Sequence, residues 1–183
     1  MNIFCIILLL AQIPSARSLS VWPLPKSVSN TGQLHQLTES ESDFNFKAIG
    51  HVSDTLDDAF ERYSGILFRS NRLLQKAQQQ ALSIRIDQDL VIDGADVNVL
   101  SSDESLTLET NQSYTLVIKS PRIEIVAHSV YGAMYAIESF SQLVSREGFV
   151  NGTTIIDVPR FQFRSSMIDT ARHWLPLETI FAH

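Results

Sequence analysis

The sequence predicts an α+β fold, in which a small sheet with two helices is followed by the beginning of a second structural unit. Two segments carry apolar residues at helical spacing, several short segments alternate apolar and polar residues as strands do, and the pattern changes near residue 161. The chain has 183 residues, 44% of them hydrophobic and 19% charged, which is enough apolar material for an ordinary core.

The first eighteen residues have the composition of a secretory signal. An apolar run from Ile3 to Ala11 precedes Pro14 and a small-residue pattern that ends at Ser18, which predicts a signal peptide over residues 1–18. The run is too short to cross a bilayer, which needs about 20 apolar residues, so we expect no membrane association after cleavage. The remaining chain would carry 13 basic and 20 acidic residues, and because its cations do not cluster, nucleic acid is not an expected partner.

The elements of the first half follow in order along the chain. Two prolines around Leu24 predict an extended segment, and residues 44–50 alternate as a half-buried strand does. Ser53 is a predicted N-cap for a helix of about four turns. Its apolar face comprises Leu56, Ala59, Phe60, Tyr63 and Leu67. Residues 72–80 fit either a polar connector or a continuation of this helix.

The second half contains most of the predicted strands. Residues 82–88 predict a strand, residues 93–105 a turn and loop, and residues 113–129 two strands joined at Ser120–Pro121. Ser129 then caps a second helix. Its apolar face comprises Val130, Met134, Ile137, Phe140 and Val144. Residues 147–159 predict a turn that leads into a strand, residues 161–169 a new strand, and a helix begins around Pro176.

Cysteine usage and two glycosylation sequons agree with the secretory pathway. The one cysteine of the chain, Cys5, lies inside the predicted signal, so no disulfide is expected in the mature protein. Asn111 and Asn151 begin Asn-x-Ser/Thr sequons in predicted turns, and we expect both to be glycosylated.

Three motifs occur in an order that resembles the eukaryotic β-N-acetylhexosaminidases of glycoside hydrolase family 20. They are "SVWPLP" near the mature start, "SYTLVI" followed by "VYGAMYAIESFSQLV", and "PRFQFRSSMIDTARHWLPLETI". The resemblance implies an accessory α+β domain over residues 19–159 and the start of a (β/α)8 barrel over residues 160–183. A complete barrel needs about 250 residues, so the resemblance implies a truncated barrel. The family usually has glycine after the arginine that begins the first barrel strand, whereas Ser165 follows Arg164 here.

The resemblance also assigns roles to residues near the end of the chain. Arg172 matches the family arginine that hydrogen-bonds hydroxyls of the terminal N-acetylhexosamine, and a guanidinium offers donors suited to neighbouring sugar oxygens. It would lie at the carboxyl end of a strand over residues 163–169. Asp169 and His173 would be structural partners of that strand end. The family hydrolyses by substrate assistance, with an Asp-Glu pair far downstream, so no catalytic residue is expected among these 183.

Two other candidate sites are rejected from the residues themselves. Asp103 and Glu104 are adjacent acids in a serine-rich turn, where nothing apolar would raise the pKa of a general acid. The histidines lack the spacing of metal ligands, and each is expected to be exposed or hydrogen-bonded. We therefore expect no metal and no cofactor.

Two functional hypotheses follow. In the first, the chain is part of an exo-acting β-N-acetylhexosaminidase of the lysosome, vacuole or extracellular space, inactive in this length, with terminal N-acetylglucosamine or N-acetylgalactosamine glycans as partners. A homodimer would require the complete barrel. In the second, the chain is a stand-alone, non-catalytic accessory or interaction module. The apolar segment from Ser165 to Asp169, which a barrel would bury, favours the first.

Overall fold

The computed structural model describes residues 21–78 and 88–181. The strands are β1 Ser27–Leu37, β2 Asn45–Ala48, β3 Val91–Ile92, β4 Gly94–Val99, β5 Tyr114–Val117, β6 Arg122–Ala127 and β7 Phe149–Asp157. The helices are α1 Asp54–Gln78, α2 Val130–Leu143 and α3 Leu177–Phe181. The predicted signal peptide, Cys5 and all but the last residue of the predicted strand over residues 82–88 lie outside the described residues.

Within these ranges, seven strands form one mixed sheet in the order β2-β4-β6-β5-β7-β1-β3. β2, β4 and β6 run parallel to one another, and β5 is antiparallel to both β6 and β7. β1 pairs antiparallel with β7 and parallel with β3. The predicted combination of a sheet with two long helices is confirmed. Across the described ranges, no helix combines the length and apolar character that crossing a bilayer requires.

The core lies between one face of the sheet and helices α1 and α2. Its fully buried strand residues alternate along the sequence, as Ile123 and Ile125 do on β6, so that one face of each strand points at the helices. The predicted caps are confirmed, because the side chains of Ser53 and Ser129 accept hydrogen bonds from the backbone N–H groups of Leu56 and Gly132. The predicted apolar faces of both helices pack into this core.

Strand β4 corrects the prediction of a turn and loop over residues 93–105. It is an interior strand between β2 and β6, with Ala95, Val97 and Val99 buried against the helices. The polar residues that suggested a loop lie on the opposite face, where Asp96 accepts a hydrogen bond from Arg122. Gly94 is required at the strand start because a Cβ there would collide with the backbone carbonyl of Asn45.

Strand β1 was not predicted, whereas the extension of α1 through residues 72–78 is one of the two alternatives that the sequence allowed for that segment. β1 carries few apolar residues and is mostly exposed, so its sequence has no strand-like alternation even though seven of its residues pair with β7. α1 has 25 residues, and residues 72–78 continue the helix instead of forming a connector.

The predicted strand over residues 161–169 is wrong, since the structure has no strand between β7 and α3. A strand needs a hydrogen-bonded neighbour, and none of the seven described strands pairs with residues 161–169. The helix predicted to begin around Pro176 is present as α3, whose first turn begins with bonds from Thr179 and Ile180 to the Pro176 carbonyl.

Candidate functional site

The candidate sugar-binding residue, Arg172, lies in a turn between the end of the sheet and α3. Residues 170–172 form this turn, and Asp169 immediately precedes it. The carboxylate oxygen Oδ1 of Asp169 accepts hydrogen bonds from the backbone N–H groups of Ala171 at 2.9 Å and Arg172 at 3.3 Å. This arrangement is the side-chain-capped turn that aspartate commonly forms.

Asp169 also contacts the side chain of Arg172. Its Oδ2 lies 3.3 Å from Nε of Arg172, whose side chain is 85% exposed. At this exposure the ion pair contributes little to stability. It leaves most of the guanidinium facing solvent, where it could donate to an external hydroxyl-rich ligand. His173, the other predicted neighbour, is exposed next to the turn.

The turn belongs to a segment, residues 161–181, whose apolar side chains are largely uncovered. The most exposed of them are Phe161, Phe163, Met167, Trp174, Leu177 and Phe181, all between 65% and 88% exposed. Several large apolar side chains at such exposure are unusual on the surface of a monomeric soluble protein and are typical of an interaction surface.

Arg164 differs from its neighbours in this segment and was not singled out as a site residue from the sequence. Its guanidinium carbon lies 4.0 Å from the ring centroid of Tyr135 on α2, and its Nη2 donates to Oε1 of Gln112. Its Nε is buried without a hydrogen-bond partner among the described residues. The signal that could have found it was positional, since Arg164 lies eight residues before Arg172 in the segment that carries the family motif.

The rejected acid pair lies in the loop between β4 and β5. Hydrogen bonds from the hydroxyl and backbone N–H of Ser105 lower the pKa of Asp103. The hydrogen bond from His51, with Nε2 2.6 Å from Oε1, lowers the pKa of Glu104. A carboxyl that acts as a general acid near neutral pH needs a raised pKa. The pKa values of Asp103 and Glu104 are lowered instead, which opposes that role.

The four described histidines are exposed or hydrogen-bonded, as predicted. His51 is bonded to Glu104, and His128 and His173 are exposed. His35 is only 2% exposed and hydrogen-bonds the backbone of Leu90, while its Nδ1 has no partner among the described residues. Burial lowers the pKa of His35 from its ordinary value, and it stands uncharged in the folded chain at neutral pH. His183 lies outside the described residues, and no group of three or more potential metal ligands occurs within them.

The two sequons have different surroundings. Asn111 is exposed in the loop before β5, where its Oδ1 accepts a hydrogen bond from the backbone N–H of Ser113. Asn151 lies within β7 opposite Leu34, instead of in a turn, and is half-buried. Its sequon threonine, Thr153, is buried and donates to the Asn151 carbonyl.

Comparison with known proteins identifies the family of this chain. The profile of a family described as beta-acetyl hexosaminidase like matches residues 21–143. The α subunit of the Mus musculus β-hexosaminidase is 34% identical over an alignment of 187 positions, which covers 94% of this chain and 34% of that protein. The β subunit from Felis catus is 31% identical over 175 residues, which cover 91% of this chain and 32% of that protein.

The chain therefore spans about a third of the length of these relatives. A chitobiase of Flavobacterium johnsoniae has the same fold over the shared region, with a TM-score of 0.61 and 22% identity over 92% of this chain and 25% of that one. Because the family profile covers well over half of the chain and several relatives exceed 30% identity, the protein belongs to the β-hexosaminidase family, glycoside hydrolase family 20.

Proposed function

We propose that this chain is the N-terminal part of an exo-acting β-N-acetylhexosaminidase. The enzyme would remove terminal N-acetylglucosamine or N-acetylgalactosamine from glycans. The observation that carries the proposal is the exposed guanidinium of Arg172, anchored by Asp169 in a turn of a chain that belongs to this family. Its donors suit two neighbouring sugar hydroxyls, which would fix the terminal residue in the site.

The proposed division of the chain places an accessory domain at residues 19–159 and the start of the catalytic barrel at residues 160–183. All of the buried residues among those described lie before residue 156, which supports an accessory domain that ends near residue 159. The uncovered apolar side chains of residues 161–181 support the assignment of residues 160–183 to a barrel, because its neighbouring strands and helices would bury them. The same residues argue against a stand-alone module, whose surface should be more polar.

The proposed reaction is substrate-assisted hydrolysis. The 2-acetamido oxygen of the substrate would attack its own anomeric carbon, while an acid elsewhere in the protein protonates the leaving oxygen. Arg172 would bind and orient the sugar without exchanging protons, because an arginine side chain stays charged at every usable pH. His173 would support the turn.

The 183 residues alone would be inactive. Within them, Asp103–Glu104 is the one adjacent Asp-Glu pair, and its lowered pKa values oppose a role as general acid. Loss of a general acid removes about 10²- to 10⁴-fold in rate. Loss of substrate positioning can raise the activation barrier by about 7–11 kcal/mol more.

The proposed setting is the secretory pathway, with the lysosome, a vacuole or the extracellular space as destination. The predicted signal at residues 1–18 and the exposed sequon at Asn111 support it. A homodimer would form through barrel surfaces, and no metal or cofactor takes part in the proposed reaction.

The test begins with hydrolysis of a chromogenic β-N-acetylglucosaminide by the 183-residue chain and by any longer product of the same reading frame. We expect no turnover by the short chain and activity in the longer product. Arg172→Ala in the longer product should lower kcat/KM by about 10- to 150-fold, equivalent to about 1.5–3 kcal/mol for charge-assisted hydrogen bonds. Turnover by the short chain that disappears in Asp103→Asn/Glu104→Gln would contradict the assignment. A reading frame that stops at His183 would favour the stand-alone module.

A further inference from the structure

Arg164 is the half-buried side chain in an otherwise exposed stretch, residues 161–174. On one side of it Phe163 is 73% exposed, and on the other Met167 is 88% exposed. The chain therefore turns an arginine inward where nearby apolar side chains point outward. Burying a guanidinium costs free energy that its contacts must offset, and since Nε has no partner among the described residues, those contacts are made by Nη2 and the guanidinium face.

Two side chains of the sheet-and-helix domain form that seat. Tyr135 of α2 presents its ring face to the guanidinium at 4.0 Å, which is a close cation–π contact. Gln112, in the loop before β5, accepts a hydrogen bond from Nη2 of Arg164. We name Arg164, Tyr135 and Gln112 together the Arg164 clamp.

The seat is held in place by the packing of the Gln112 loop against α2. The Asn111 carbonyl accepts a hydrogen bond from the hydroxyl of Ser129, the residue that caps α2. Gly132 lets the loop approach closely, since a Cβ there would lie 2.8 Å from the Ser113 carbonyl oxygen. The loop that carries Gln112 is therefore bonded to the start of α2, the helix that carries Tyr135.

Within residues 21–78 and 88–181, the other hydrogen bonds around Arg172 remain inside its own segment. Ala171 and Arg172 donate to Asp169, and the first turn of α3 bonds back to Pro176. These bonds shape the turn, but they do not attach it to the sheet. The bond and ring contact of Arg164 do make that attachment, eight residues before Arg172.

We propose that Arg164 is a positioning residue, which fixes the Arg172-bearing segment to the sheet-and-helix domain by binding between Tyr135 and Gln112. It contacts no substrate. It determines where the first part of the sugar site stands relative to the accessory domain. The connection to sugar binding rests on the proposed function, whereas the attachment itself does not.

The attachment can be measured by the distance between two spin labels in the 183-residue chain. Labels at Ser166→Cys, in the segment, and Lys47→Cys, on β2, are both at exposed positions. Cys5→Ser removes the natural thiol. We expect a narrow distance distribution in the parent chain and at least a twofold broader one in Arg164→Ala and in Tyr135→Leu.

Two matched substitutions serve as controls. Arg160→Ala removes another arginine, whose guanidinium contacts Phe161 inside the same stretch, and Tyr135→Phe keeps the ring. Both should retain the narrow distribution. An unchanged width in Arg164→Ala or Tyr135→Leu, or equal broadening in Arg160→Ala, would overturn the proposal. If either of the first two variants fails to fold, Gln112→Ala replaces it with the same expected broadening.

A second measurement addresses positioning for the reaction. In a longer product with hexosaminidase activity, Arg164→Ala should lower kcat/KM by about 10²-fold, since small displacements of binding groups have effects of that size. Arg160→Ala should leave it unchanged. Unaltered kcat/KM in Arg164→Ala would overturn the positioning role. If no product is active, the proposed function fails, and the spin-label distances still decide the attachment.

Discussion

The same substitution, glycine to alanine, should have opposite effects in the two long helices. Gly65 lies inside α1, and a Cβ built there meets no atom within 4 Å. Gly132 lies in the first turn of α2. A Cβ there would lie 2.8 Å from the Ser113 carbonyl oxygen and 3.2 Å from the carbonyl group of Gln112. Comparing the stabilities of Gly65→Ala and Gly132→Ala therefore distinguishes the effect of helix propensity from the effect of packing within one protein.

The magnitudes follow from these surroundings. Alanine is favoured over glycine in a helix interior by about 0.8–1.0 kcal/mol, so Gly65→Ala should raise the free energy of unfolding by about that amount. At Gly132 the gain in helix propensity is smaller, because this residue lies in the first turn of α2. The added Cβ would also overpack against the backbone of the Gln112 loop, which costs about 1–3 kcal/mol. We expect Gly132→Ala to lower the free energy of unfolding by about 1–2 kcal/mol.

Thermal unfolding of the two variants and the parent chain measures the difference. For a chain of this size, 1 kcal/mol corresponds to about 2–4 °C in Tm. Gly65→Ala should therefore melt about 2–4 °C higher than the parent, and Gly132→Ala about 2–8 °C lower. A Gly132→Ala protein as stable as the parent would refute the close packing of the Gln112 loop on α2. It would also weaken the basis of the Arg164 clamp.

Three further predictions concern pH, modification and domain independence. Burial lowers the pKa of His35 below 6.5, so the unfolded chain binds a proton that the folded chain excludes, and stability should fall as pH drops from 7 to 5. His35→Gln should flatten that fall in Tm; an equal slope would contradict it. Asn111→Gln and Asn151→Gln should each abolish one endoglycosidase-sensitive mobility shift of the secreted chain, and an unshifted parent would exclude both sites. Residues 19–159 alone should melt cooperatively, whereas a noncooperative, dye-binding sample would show that the core is incomplete.

Periodic patterns in the sequence predicted the elements that are amphipathic. Helix α2 and the hairpin of β5 and β6 could be located because their buried faces repeat at the spacing of the element. The sequence predicts a loop at β4 because Gly94, Asp96 and Asn98 usually mark turns, but in the structure they lie on the strand face opposite the helices. β1 could not be predicted, since most of its residues are exposed and its position depends on pairing with β7.

The residues of the candidate site also differ in whether the sequence alone could predict them. The motif around Arg172 is a local pattern of the chain, so the sequence sufficed to select Arg172 and its neighbour Asp169 as candidates. The Arg164 clamp could not be predicted from the sequence, because its other members, Gln112 and Tyr135, lie 52 and 29 residues away from Arg164 along the chain.

The sequence by itself determined the family, the two amphipathic helices and the position of the candidate sugar-binding arginine, all of which depend on residues close together along the chain. The tertiary structure decided the order of the seven described strands, the burial of His35 and the contact that attaches residues 161–181 to α2. It also showed that residues 161–169 form no strand. The physical reason is that strand pairing and burial depend on partners distant in sequence, and a strand without neighbours has nothing to bond to.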